Sequence, residues 1–195
     1  MAHPKGRAEG PGPQLSVLVF CGARPGNDPA YLRAADELGS TIAENHWRLV
    51  YGAGDVGLMG AGAQAAITAG GDTLGVIPEH LIPREGLKRD VGQVIVTETM
   101  HERKKVMFMN ADIVAVLPGG AGSLDEVFEV LTWGQIGLHE QPIYLVNTEG
   151  YWDTLSDLLA HVIDQGFADP SLRDSLTAVP DAAAFDAHGK MTLAR

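Results

Sequence analysis

One cysteine, three tryptophans and no long apolar run in 195 residues set the first limits on this chain. The lone thiol, Cys21, cannot close an intrachain disulfide, so the fold must be held by its core, and a reducing, cytoplasmic setting suits it. No stretch is long enough to cross a membrane as a helix, and no membrane partner is expected. No second histidine or cysteine sits at ligand spacing near His101, so no metal site is expected. Basic residues are scarce as well: 14 against 25 acidic, for a net charge of −11. An extended nucleic-acid surface is thereby excluded, because binding a phosphate backbone takes clustered positive charge. A small anion is not excluded. Arg84, Lys88, Arg89, Arg103, Lys104 and Lys105 all fall between positions 84 and 105, so positive charge is concentrated locally.

The 45% hydrophobic content is enough for one core at this length. Residues 1–14, rich in Pro, Gly and charge, read as a disordered N-terminal tail, and residues 15–195 as a single nucleotide-binding α/β domain. Short apolar or β-branched runs at 15–20 (LSVLVF), 47–51 (WRLVY), 73–77, 93–96, 113–117 and 142–147 (PIYLVN) read as strands. Helical periodicity recurs between them, with a further amphipathic stretch over 151–165. This alternation predicts a doubly wound, mostly parallel sheet with helices on both faces, a Rossmann-like architecture.

Two glycine motifs follow strands. The first, GAGDVG at 52–57, is a literal G-x-G-x-x-G and invites a dinucleotide reading. The acidic residue that reading needs would be Asp72, which precedes strand 73–77 and so lies at the wrong end to reach a ribose. The glycines are therefore expected to allow a tight turn and close helix packing. The second motif is PGGAGSLDE at 118–126. Here Pro118 ends a buried strand, Gly119, Gly120 and Gly122 permit close ligand approach, and the helix that follows turns unpaired N–H groups toward the same space, a natural anion site. Leu124, Val127, Phe128 and Leu131 share one helical face, while Asp125, Glu126, Glu129 and Thr132 lie elsewhere. Ser123 and Glu126 also match the S-x-x-E capping box, so the spacing leaves Glu126 either a cap or a catalyst. Thr99 and Glu102 match a second box. That box would bring Arg103, Lys104 and Lys105 near a helix N-terminus, where the macrodipole disfavours cations, so another interaction must retain them unless they snorkel to water. Glu85, in a polar loop at the C-terminal edge of the sheet, reads as a ribose contact or as a solvated acid.

Three segments in order, YGAGDVGLMG, MHERK and PGGAGSLDE, resemble the Lonely guy family of cytokinin riboside 5'-monophosphate phosphoribohydrolases. The resemblance runs from VFCG at Val19 to Asn147. It implies hydrolysis of the N-glycosidic bond of adenosine 5'-monophosphates, N6-substituted or plain as in an AMP nucleosidase, giving free base and ribose 5-phosphate without a cofactor. It implies Arg103 and Glu126 as the catalytic pair. It also implies substrate contacts from Glu85, Arg103, Lys104, Gly119, Gly120, Ala121, Gly122, Ser123, Leu124, Asp125 and Thr132, and a homodimer. Three departures stand out: Ser123 replaces a Thr, Ala53 replaces a Gly, and Ala23 and Arg24 replace small polar residues. The competing reading is a non-catalytic nucleotide or cofactor carrier, because a glycine loop binds phosphate whether or not chemistry follows. A lysine decarboxylase would require a lysine that binds pyridoxal phosphate, and Lys104 and Lys105 are poor candidates beside a phosphate site.

Overall fold

The computed structural model describes residues 15–85 and 92–193, without the side chains of Arg84 and Glu85. The expected tail, Lys88 and Arg89 lie outside the described residues. Seven strands form one sheet in the order β4-β3-β2-β1-β5-β6-β7, and every pairing is parallel. They are β1 (Ser16–Phe20), β2 (Arg48–Tyr51), β3 (Asp72–Pro78), β4 (Gln93–Thr97), β5 (Ile113–Val116), β6 (Ile143–Val146) and β7 (Thr177–Val179). The helices are α1 (Pro29–Glu44), α2 (Gly57–Thr68), the short α3 (Ile82–Glu85), α4 (Met100–Met109), α5 (Ala121–Gln135), α6 (Asp153–Asp164) and α7 (Ala182–Leu193).

The two-residue alternation of β1 divides the core. Val17, Val19 and Cys21 pack with α1, α2 and α7 on one face, whereas Leu18 and Phe20 pack with residues of α4, α5 and α6 on the other. Because both faces are covered, every residue of β1, β5 and β6 is buried, which explains their unbroken apolar runs. Two local signals start helices. Pro29 opens α1 behind Asp28, whose carboxylate accepts the Ala30 N–H at 2.8 Å. The Thr99–Glu102 capping box starts α4.

The glycines after β2 serve packing. At Gly52 a side chain would collide with the Arg103 guanidinium, and Gly57 (φ +61°) lies against the backbone of Ala23 and Arg24. The small residues of α2 bring it close to α1, where a Cβ on Gly39 would strike the Gly62 carbonyl.

Strand β1 is the point at which the order reverses: β2, β3 and β4 build outward on one side, β5, β6 and β7 on the other. The loops leaving β1 and β5 therefore diverge and open a crevice at the C-terminal edge, where open α/β sheets bind ligands.

Candidate active site

That crevice is a cavity of about 630 Å³. Its wall combines the loop after β1, the loop from Pro118 into α5, Met100 and Arg103 of α4, Leu58 and Met59 of α2, Leu81, Tyr31 and Tyr151.

Helix α5 begins earlier than the capping-box reading requires. Its N-cap is Gly120, with no side-chain cap bond, and the first helical bond runs from the Leu124 N–H to the Gly120 carbonyl at 3.0 Å. Ser123 is thus the third helical residue, and Glu126 lies beyond the first turn. The Ser123–Glu126 box does not form, because the helix starts three residues sooner, at the glycine loop. The N–H groups from 120 to 123 are left without intrahelical acceptors at the cavity wall.

Two kinds of glycine meet here. A Cβ on Gly119 would collide with the Ser123 hydroxyl, so the protein's own packing demands that glycine. At Gly120 and Gly122 a Cβ would meet nothing within 4 Å. Packing does not require these two; they keep the cavity floor bare for an occupant.

Arg103 is buried at 5% exposure. Its Nε donates to the Val76 carbonyl at 3.1 Å and its Nη2 to the Gly52 carbonyl at 2.8 Å, while Nη1 lies 3.9 Å from the Met100 sulfur. Carbonyls at the ends of β3 and β2 thus retain this cation against the α4 dipole. Lys104 is retained by Asp125 at 2.9 Å and Glu129 at 2.8 Å. Burial draws its ammonium down, but these two carboxylates outweigh burial and hold it above its ordinary value.

Glu126 is half-buried on the wall and has no hydrogen bond or ion pair to any described residue. Burial pushes its carboxyl up to about 7; Arg103 and Lys104 pull it down, and Asp125 and Glu129 push it further up. Burial likewise pushes the Cys21 thiol far up, with Glu126 adding to the rise, so Cys21 stays protonated and is no nucleophile.

Of the residues expected at the site, Arg103, Gly119, Gly120, Ala121, Gly122, Ser123, Asp125 and Glu126 are brought together on the wall. Lys104, Leu124 and Thr132 are not. Lys104 faces α5 carboxylates, Leu124 packs into the core, and Thr132 is exposed with its hydroxyl donated to the Phe128 carbonyl at 2.7 Å. The Glu85 side chain lies outside the described residues. Tyr151 escaped sequence reasoning: its hydroxyl donates to the Gly119 carbonyl at 2.5 Å and its ring packs edge-on to Tyr31, with centroids 5.7 Å apart. Glu149 (φ +54°) and Gly150 (φ +69°) form the left-handed turn that delivers it. The only signal for this in the sequence is the Glu-Gly pair after the sixth strand.

A family model described as possible lysine decarboxylase matches residues 59–187. The cytokinin riboside 5'-monophosphate phosphoribohydrolase LOG7 of Arabidopsis thaliana is 42% identical over 166 residues, 85% of this chain and 76% of that protein. A probable cytokinin riboside 5'-monophosphate phosphoribohydrolase of Oryza sativa subsp. japonica, LOG4, is 38% identical over 177 residues, 91% of this chain and 77% of that one. Among solved structures, the molybdenum cofactor carrier protein of Chlamydomonas reinhardtii superposes with a TM-score of 0.72 at 23% identity, covering 93% of this chain and 99% of that one, a likeness of fold. A pyridoxal-dependent decarboxylase needs a lysine amine able to lose its proton and form a Schiff base. Among the described lysines, Lys104 is held charged, and neither Lys105 nor Lys190 is on the cavity wall.

Proposed function

The chain belongs to the Lonely guy family of cytokinin riboside 5'-monophosphate phosphoribohydrolases, and from that membership and the cavity together we propose that it hydrolyses the N-glycosidic bond of cytokinin riboside 5'-monophosphates. The products are the free cytokinin base and ribose 5-phosphate. The same reading extends to plain AMP, whose base differs only at N6.

In this reading the phosphate sits at the start of α5, where unpaired N–H groups and the helix dipole both favour an anion. The ribose then lies between Arg103 and Glu126. As the C1'–N9 bond breaks, its electron pair leaves with the base and positive charge develops on the ribose. The Glu126 carboxylate stabilises that charge and takes a proton from the attacking water, whose oxygen bonds to C1'; the departing base recovers a proton from solvent. A carboxyl near 7 is matched to this work at neutral pH, being both ionised in useful amount and basic enough to accept a proton. Arg103, fixed by two carbonyls, uses its remaining nitrogen to orient Glu126 or the substrate. Gly119, Gly120, Ala121, Gly122, Ser123 and Asp125 complete the contacts, and Lys104 acts at one remove by holding Asp125.

The observation that carries the reading is an unbonded, half-buried carboxylate sharing a cavity with a fixed arginine beneath a glycine loop. A carrier needs the loop but not that pair. We extend the reading to a homodimer, supported by exposed Met109, Ile136 and Leu138 where the ends of α4 and α5 meet, and to a cytoplasmic location, where nucleotide substrates are made. Incubation with isopentenyladenosine monophosphate and with AMP, followed by chromatography, should show free base released from the first at least. No base from either would overturn the proposal.

A further inference from the structure

Among the described residues, four charged side chains line the cavity: Arg24, Arg103, Asp125 and Glu126. A phosphomonoester brings a charge of roughly −1.5 to −2 into this space, which already holds two carboxylates, and the helix start offers only about half a positive charge. Two of the three nitrogens of Arg103 are committed to the Val76 and Gly52 carbonyls, and Lys104 is committed to Asp125 and Glu129. Arg24 is different. It lies on the wall, is exposed, and its guanidinium has no hydrogen bond or ion pair among the described residues.

The backbone beneath it is fixed. The Gly22 N–H donates to the Pro118 carbonyl at 2.9 Å, and the Gly22 carbonyl accepts from Leu58 N–H at 3.1 Å, tying the loop to the glycine loop and to α2 at once. A Cβ at Gly22 would lie 3.2 Å from the Arg24 carbonyl oxygen and 3.3 Å from the Gly119 Cα. Pro25 and Gly26 (φ +77°) then turn the chain away. The arginine therefore springs from a rigid loop packed against the one that ends in the bare glycines.

We propose that Arg24 is the phosphate clamp of this enzyme, a substrate-binding residue that pairs with the 5'-phosphate held at the start of α5 and sets the preference for nucleotide over nucleoside. The proposal rests on the hydrolase reading only for where the phosphate lies. The planar fork of a free arginine can bind two phosphate oxygens, which a small polar residue at the same place cannot do. An exposed clamp also lets the phosphate enter before the ribose is seated.

The test compares AMP with adenosine, which lacks the phosphate, by calorimetric titration of the wild type, Arg24→Ser and Arg24→Lys. Arg24→Ser should weaken AMP binding by about tenfold or more, the scale of a lost charge-assisted pair, and leave adenosine binding within about twofold. Arg24→Lys should recover part of the loss, and the salt dependence of AMP binding should flatten in the serine variant. With isopentenyladenosine monophosphate, KM should rise by more than kcat falls. Equal weakening of AMP and adenosine, or weakening of neither, would overturn the proposal. A wild type that binds AMP but releases no base sinks the hydrolase reading alone, because the binding comparison still reports on Arg24.

Discussion

Replacing Glu126 by glutamine, which keeps the volume and removes the charge, should stabilise the protein at alkaline pH and leave its stability nearly unchanged at acid pH. The wild-type carboxyl is raised from its ordinary value of 4.5 to about 7, chiefly by burial. Between those two values the folded chain holds a proton that the unfolded chain has released, so wild-type stability falls as pH rises through this window. Above it the cost is fully present. One pH unit of displacement corresponds to about 1.4 kcal/mol, which sets an upper limit of about 3 kcal/mol for the cost at pH 8. The glutamine variant lacks this cost but also lacks the negative field that favours buried Arg103, so a net gain of about 1 to 2 kcal/mol is expected at pH 8. Urea unfolding of both proteins at pH 4.5 and pH 8, followed by circular dichroism, reads the difference directly. A variant equal to or less stable than wild type at pH 8, or one whose difference does not change with pH, would refute the claim that Glu126 is held uncompensated in the folded state. The expected trade, stability gained as function is lost, is the common pattern at active sites.

Three further substitutions separate packing from function. Gly122→Ala should keep or raise the melting temperature, since the methyl meets no protein atom and alanine favours the helix by up to about 1 kcal/mol, yet it should weaken AMP binding severely; undiminished binding by calorimetry would mean that the bare floor is not where the ligand sits. Gly52→Ala should do the opposite, displacing buried Arg103 at a cost of about 1 to 3 kcal/mol by urea titration and abolishing turnover with it. Tyr151→Phe removes the bond to the Gly119 carbonyl and should cost about 1 kcal/mol and raise KM a few-fold; an unchanged KM would free the glycine loop from dependence on Tyr151.

The centre of the sheet was legible because β1, β5 and β6 are buried on both faces: runs such as IVAV and IYLV leave no polar alternation to misread, and the helices between them force parallel pairing. The start of α5 was not. At Ser123 the capping-box pattern and the glycine loop made conflicting local claims, and the glycines prevailed because the helix could begin at Ala121 without a side-chain cap. Phe128 was assigned inward by spacing but is exposed at the edge of that stripe. The conflict of charge at Arg103 was visible in the sequence. Its resolution was not, since the two carbonyls that hold the guanidinium lie 27 and 51 residues away. Tyr151 was hidden for the same reason, its contact with Gly119 spanning 32 residues. Local patterns thus place the glycine loop and name Glu126, whereas the side chains that hold the loop and the arginine in place are set by topology.

The deciding measurement is release of free base from isopentenyladenosine monophosphate by wild type and by Glu126→Gln, with nucleotide affinity measured on the same preparations. The variant should bind the monophosphate within a few-fold of wild type and lose turnover by about two orders of magnitude or more. Its wild-type partner should show kcat/KM rising with pH through about 7 as the carboxylate forms. Turnover by Glu126→Gln at the wild-type rate would contradict the central claim that this carboxylate activates the water.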